Sequence, residues 1–487
     1  MRRGISIAGL LVLCAFALLI VLQTGCKPAK SDEVPITTKS KEAQELFVEG
    51  RNLAEFWHTE KANDLFAQAV EKDPEFAMGY LFKAGSSVGS KDFQDDLAKA
   101  VSLAQNTSEG EQKVIAGFRA FYGENDAVKA NQIFKELTTL FPNDKRAHYY
   151  LAWTYGQMQE YDKQIVALEN AKALDANFAP AYETLGYVYR WKNQYDKAEG
   201  YLKEYVRLSP NEANGHDNLG DLYQKMGKFD EAIQQYTEAI QMDPTFAYSN
   251  YNIGSALALQ GKFEEARQTF LKTMDMELDP GNKVYDQEGI MRTYIYEGDY
   301  AKALEAADEA IRMAGELGVL EQASFDYVVK SAIYCELGEY DKADDSIADC
   351  LNYLETTDLV ASRKNNQESG ATFWQAVVAA GRQDFDTAMA KADEYKGKVD
   401  AVNNPALQKY PGWLLGYLSF VQGDAAKANE YFSQEEIDNP WFIYFFAAAK
   451  EKAGDEAGAA ELYKKVADWN VDGVWYAFVR SKAAAKL

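Results

Sequence analysis

Residues 213–246 read ANGHDNLGDLYQKMGKFDEAIQQYTEAIQMDPTF. Apolar residues fall at helical spacing on either side of Gly227, and Pro244 ends the second run, so the stretch predicts two helices joined by a glycine turn. Counting from Ala213, the positions that stand out are Leu219, Gly220, Tyr223, Gly227, Ala232, Tyr236, Ala239 and Pro244, at 7, 8, 11, 15, 20, 24, 27 and 32. Small residues at 8, 20 and 27 let two helices approach, and bulky ones at 4, 7, 11 and 24 fill the gaps between them.

A step of 34 residues reproduces the pattern in both directions. Ala179 to Glu212 offers Tyr182, Leu185, Gly186, Tyr189, Ala198 and Pro210, and Ala247 to Pro280 offers Asn250, Ile253, Gly254, Leu257, Gly261, Ala266 and Phe270. Upstream units supply Leu151, Ala152 and Tyr155, then Ala130, Phe134 and Pro142, then Gly50, Ala62, Phe66 and Pro74. Seven units fill residues 43–280, the one at Ala77 degenerate. This recurrence resembles the tetratricopeptide repeat (TPR), and the resemblance implies an all-α, right-handed superhelical solenoid of about twelve TPR-like helix pairs. Residues 281–473 read as longer, divergent repeats starting near Val284, Ser324, Ser369 and Lys409, with Ala361 to Glu368 expected as a loop and residues 474–487 as a capping helix.

The chain opens on Met1-Arg2-Arg3 and an apolar run from Ile5 to Leu22, the order of a secretory leader. Leu22-Gln23-Thr24-Gly25-Cys26 resembles a bacterial lipobox, although Gln23 stands where that family has an aliphatic residue. The resemblance implies a signal peptide over 1–25, a lipid on Cys26 and a linker over 26–42. The alternative is an uncleaved signal anchor, because the 18 apolar residues just reach membrane-spanning length. Both readings tether the chain to a membrane and put its body on the extracytoplasmic side. Lys27 after the cysteine points to the periplasmic face of the outer membrane or the cell surface in a host with two membranes.

Lys and Arg number 51 against 75 Asp and Glu, so a formal charge of −24 repels phosphate backbones and excludes nucleic acid as the expected partner. The three histidines, His58, His148 and His216, lack metal-ligand spacing and read as helix-contact residues. No phosphate-binding loop, dinucleotide fingerprint, nucleophile elbow or zinc-cysteine cluster appears, so neither catalysis, a cofactor nor a metal is expected. Asp95-Asp96 and Asp344-Asp345 read as solvated faces. Cys335 and Cys350 read as separate thiols, one toward the groove and one in the core.

By the same resemblance the first helix of each pair lines a concave wall, and positions 2, 5, 9, 12 and 13 meet a ligand. They hold Arg119 and Tyr122; Arg146, Tyr149 and Trp153; Tyr187, Arg190 and Trp191; Asn214, Asp217 and Asp221; Tyr248 and Tyr251; and Tyr285, Arg292 and Tyr296. Such aromatics and arginines suit a protein or peptide partner. The carboxylate-clamp mode of chaperone-binding repeats is disfavoured, because its slots hold Tyr149, Trp153, Glu183, Tyr187, Asp217 and Asp221. Asn218 and Asn252 are the two rungs left of an asparagine ladder for extended peptide. The expectation is a membrane-anchored scaffold in envelope or surface-structure assembly; the alternative is a surface receptor whose aromatics stack on glycans or another nutrient.

Overall fold

A computed structural model describes residues 32–487 apart from 57, 86–90, 245, 277–279 and 435. The leader and Cys26 lie outside the described residues. Twelve antiparallel helix pairs follow one another, each packing on the next, and no strand occurs among the described residues.

The repeat length is written in the backbone. Asn125, Gln159, Asn193, Gly227 and Gly261, spaced 34 residues apart, all turn with φ between 54° and 78°. Each is the left-handed residue that ends one helix of a pair, a conformation open to Gly and tolerated by Asn. Between these turns run helices such as Ala179–Trp191 with Tyr195–Leu208 and Ala213–Lys225 with Phe229–Met242, of 13 and 14 residues. From residue 280 they lengthen to 18 residues in Pro280–Glu297, Tyr300–Leu317 and Leu320–Leu337.

Two elements differ from expectation. Ala361 to Glu368 is not a loop but the first two turns of the helix Ala361–Gly381. Its polar side chains face another part of the chain: Ser362 Oγ donates to the Tyr122 carbonyl at 3.4 Å, and Asn125 Nδ2 donates to Asn366 Oδ1 at 3.1 Å. Residues 474–487 form two short helices, Val474–Ala477 and Arg480–Ala484. They dock on the inner face of earlier repeats, with Tyr476 edge-on to Tyr296 and Arg480 Nη2 donating to the Leu259 carbonyl at 2.5 Å.

These contacts belong to a general closure. Val128 N–H donates to the Asn403 carbonyl at 3.3 Å, Lys409 Nζ to Gln159 Oε1 at 2.6 Å, and Lys225 Nζ to the Trp469 carbonyl at 3.1 Å. The last two pairs lie 250 and 244 residues apart, about seven 34-residue repeats, so the second superhelical turn rests on the first. Residues 32–40 are clasped as well: Val34 N–H donates to Asp144, Thr37 N–H to Glu111 and Lys39 N–H to Asp73.

The core divides accordingly. One large cluster spans residues 43–188 and another 258–483, while small clusters around Leu202 and Tyr236 bridge them. A Cβ at Gly220 would sit 2.5 Å from the Tyr236 ring. Gly220→Ala is therefore expected to lower unfolding free energy by about 1–3 kcal/mol in urea titration, with helix content in circular dichroism unchanged.

Candidate functional site

On the concave wall of the middle repeats, polar side chains tie each repeat to the next. Position 5 supplies a carboxylate that accepts from the following unit. Glu183 receives Asn214 Nδ2 at 2.8 Å and Asn218 Nδ2 at 3.2 Å. Asp217 receives Ser249 Oγ at 2.7 Å and Asn252 Nδ2 at 3.1 Å. Arg190 pairs with Asp221 at 2.7 Å, Tyr236 also donates to Asp221, and the Tyr187 hydroxyl donates to Asn218. Asn218 and Asn252 thus spend their amides inside the chain.

Further along, the wall is covered by the chain's own end. Asp472 lies in the segment between the helix Glu456–Ala467 and Val474. It accepts from Ser255 Oγ at 3.1 Å, Arg292 Nε at 3.2 Å and the Tyr296 hydroxyl at 2.9 Å. Tyr251 is hydrogen-bonded to Arg292. Trp191, Tyr248 and Tyr285 remain exposed at the margins.

The first repeats are different. The turn after Lys41–Ala54 crosses the concave side: Glu55 takes Arg146 Nε and Nη2 at 2.7 and 3.1 Å, Phe56 stacks on Tyr205, and His58 meets Glu212 at 2.7 Å. Behind it lies a cavity of about 320 Å³, walled by Phe66, Phe82, Phe93, Phe118, Tyr122 and Tyr149, with Arg51 and Asn63 at its lining. Burial pushes the Tyr149 hydroxyl up, and that of its neighbour Tyr150 up to about 12, so both stay neutral. Trp153 packs behind on Phe121 and Tyr122, while Arg119 points outward and pairs with Glu124. Sequence position alone named Tyr122, Tyr149 and Arg146 here. It missed Arg51, which stands at position 9 of the first unit on the helix Lys41–Ala54 and which the same rule would have named, and Phe82 of the degenerate second unit.

His148 and His216 bond to the Pro142 carbonyl and to Gln235, and no metal-ligand cluster occurs among the described residues. Asp96 is not on a solvated face: it is buried and paired with Lys83 at 2.7 Å, whereas Asp95 is exposed. Cys335 and Cys350 are separate, and burial pushes each thiol up to about 12, away from nucleophilic form.

Profiles of the tetratricopeptide repeat match residues 177–245 and 218–282. No curated protein matches the chain. A solved structure of MamA is 25% identical over 35% of this chain and 95% of its own, with a TM-score of 0.29. TTC0263, a thermophilic TPR protein of Thermus thermophilus, is 20% identical over 44% of this chain and 98% of its own, with a TM-score of 0.30. YrrB, described as a TPR protein with an unusual peptide-binding site, is 23% identical over 37% of this chain and 91% of its own, with a TM-score of 0.27. The matched residues hold three of the turns that recur every 34 positions, at Asn193, Gly227 and Gly261, and the protein is an all-α solenoid of TPR-like helix pairs. Such solenoids serve as a class as protein-interaction scaffolds rather than catalysts.

The buried carboxylates give the wall a pH signature. Desolvation, and then repulsion from Asp221, push Asp217 up to about 7 against the hydrogen bonds of Ser249 and Asn252 and the charge of Arg190. Burial likewise raises Glu288, to about 7, and Asp326. Between about pH 4 and 7 the folded chain holds a proton at Asp217 that the unfolded chain releases, so this contribution to stability is complete below about pH 4 and is lost as pH rises to 7. Asp217→Asn, which keeps an acceptor for Ser249, is expected to stabilise the protein at pH 8 by on the order of 1–3 kcal/mol and to change little at pH 4, as read from urea unfolding at the two pH values.

Proposed function

We propose that the protein is a membrane-tethered, extracytoplasmic scaffold that holds an element of another protein in the cup formed by its first five repeats. The observation that carries this reading is the aromatic cavity of about 320 Å³ in the first repeats, on a wall whose middle repeats spend their polar side chains on one another and on Asp472. Aromatic and arginine side chains combine large contact area with a polar handle, the mix that dominates protein recognition. Groups at the tail-covered stretch, such as Arg292 and Tyr296, are buried and engaged, which leaves the N-terminal cup for a partner.

The tether on this reading is Cys26 with its lipid. Because Val34 is already bonded to Asp144 and Thr37 to Glu111, the free chain after Cys26 is short. The eight peptide steps from Cys26 to Val34 reach at most about 29 Å. The loop edge of the first three repeats therefore stands close to the bilayer, with the cup beside it. Among the described residues no helix is long and apolar enough to cross a membrane.

Two measurements test this. Fractionation of cells expressing Cys26→Ser should find the chain released from the membrane fraction, with loss of lipid labelling; retention without label instead identifies an uncleaved anchor. A photoreactive residue in place of Tyr122 should give one discrete protein adduct in cells, and the same residue in place of exposed Val166 should not. Absence of any adduct from the cup contradicts the scaffold reading.

A further inference from the structure

We propose that the cup is a binding site for a carboxylate borne on an apolar body. The proposal rests on the reading of the concave cup as the binding face and adds the chemistry of what enters it.

Arg51 is the decisive group. Its guanidinium lies among rings, 5.6 Å from the Phe47 centroid, and its Nε has no hydrogen-bond partner. Among the described residues no carboxylate comes within ion-pair distance of it. Glu55, which also lines the cavity, has both oxygens taken by Arg146. Burial first, and then the neighbouring Arg146 charge, pull Arg51 below the usual arginine range, the mark of a cation whose desolvation is not fully compensated. Asn63, on the same lining, also has an amide oxygen without a partner.

The rest of the cavity selects the ligand. A guanidinium matches the two oxygens of one carboxylate in a planar fork, and the aromatic walls reward an apolar body attached to it. A phosphate would meet a single cation with Glu55 and Glu183 also at the lining, so its second charge would stay uncompensated. The crossing turn decides the topology. Phe56 on Tyr205 and His58 on Glu212 wall one side of the cup, which suits a ligand that ends there better than a chain that runs on. Two sources fit: a free apolar acid, or the last residue of a peptide.

Titration calorimetry on the intact protein separates these sources. The probes are 3-phenylpropionate, its amide, and a tripeptide ending in Phe as free acid and as C-terminal amide. Saturable binding of an acid is expected, weaker by about tenfold or more for the matching amide. Arg51→Gln should bring the acid down to the level of the amide, and Arg312→Gln, which alters an exposed arginine far from the cup, should leave it unchanged. Preference for phenylpropionate identifies a small-molecule site, and preference for the peptide a chain terminus. Equal binding of acid and amide to the unaltered protein, or no saturable binding of any probe, overturns the proposal, and this comparison needs no variant to fold. An adduct from position 122 without acid binding would leave the scaffold standing and remove the carboxylate. Acid binding without an adduct would do the reverse.

Discussion

At Gly220 the two helices of one repeat lie so close that any Cβ there would fall 2.5 Å from the Tyr236 ring, and the same approach recurs at Gly186 against Leu202, Gly254 against Phe270 and Gly416 against Phe432. A bulky residue seated over a small one sets the distance between paired helices. Neither helix of a pair can bury its apolar side alone, so each pair must lean on the next. Repetition of one packing step bends the stack steadily, and after about seven repeats it has come round far enough for Trp469 to reach Lys225.

Closure decides what the concave wall can do. Where the turns meet, the interior is desolvated, and polar groups there must find partners within the chain. Glu183 and Asp217 hold the next repeat through Asn214, Asn218, Ser249 and Asn252, while Asp472 answers Arg292. The small clusters around Leu202 and Tyr236 show that the apolar core is thinnest beneath this ladder. Hydrogen-bonded carboxylates there help to join one large core to the other, and Asp217, which burial raises, makes that junction sensitive to pH. The first repeats keep an aromatic cavity of about 320 Å³, beside which Glu55, Phe56 and His58 reach across to Arg146, Tyr205 and Glu212.

The helix pairs were legible because a packing signature is local: Leu219, Gly220, Tyr223 and Tyr236 sit within one repeat and say nothing beyond it. The left-handed turns at Asn125, Gln159 and Asn193 followed the same period without glycine. The site was less legible for a physical reason. Position in a repeat tells which side chains face inward, and Tyr122, Tyr149, Asp217 and Arg292 do so. It does not tell what lies opposite them, which depends on the angle accumulated over hundreds of residues. Asp472 and the polar start of the helix at Ala361 owe their roles to contacts across a superhelical turn, and no short-range pattern marks them.

Stacking of the second turn on the first is the claim from which the filled wall and the remaining cup both follow, and lysine crosslinking of the unaltered protein reads it most directly. Lys465 is near enough for its charge to lower the proton affinity of Lys225, which burial and its neighbours bring down to about 8, a reactive amine. A short amine-reactive linker followed by peptide mass spectrometry should join Lys225 to Lys465 within a single chain. Links confined to adjacent repeats, with none between residues 145–280 and the chain beyond 400, would mean an open superhelix and contradict the account.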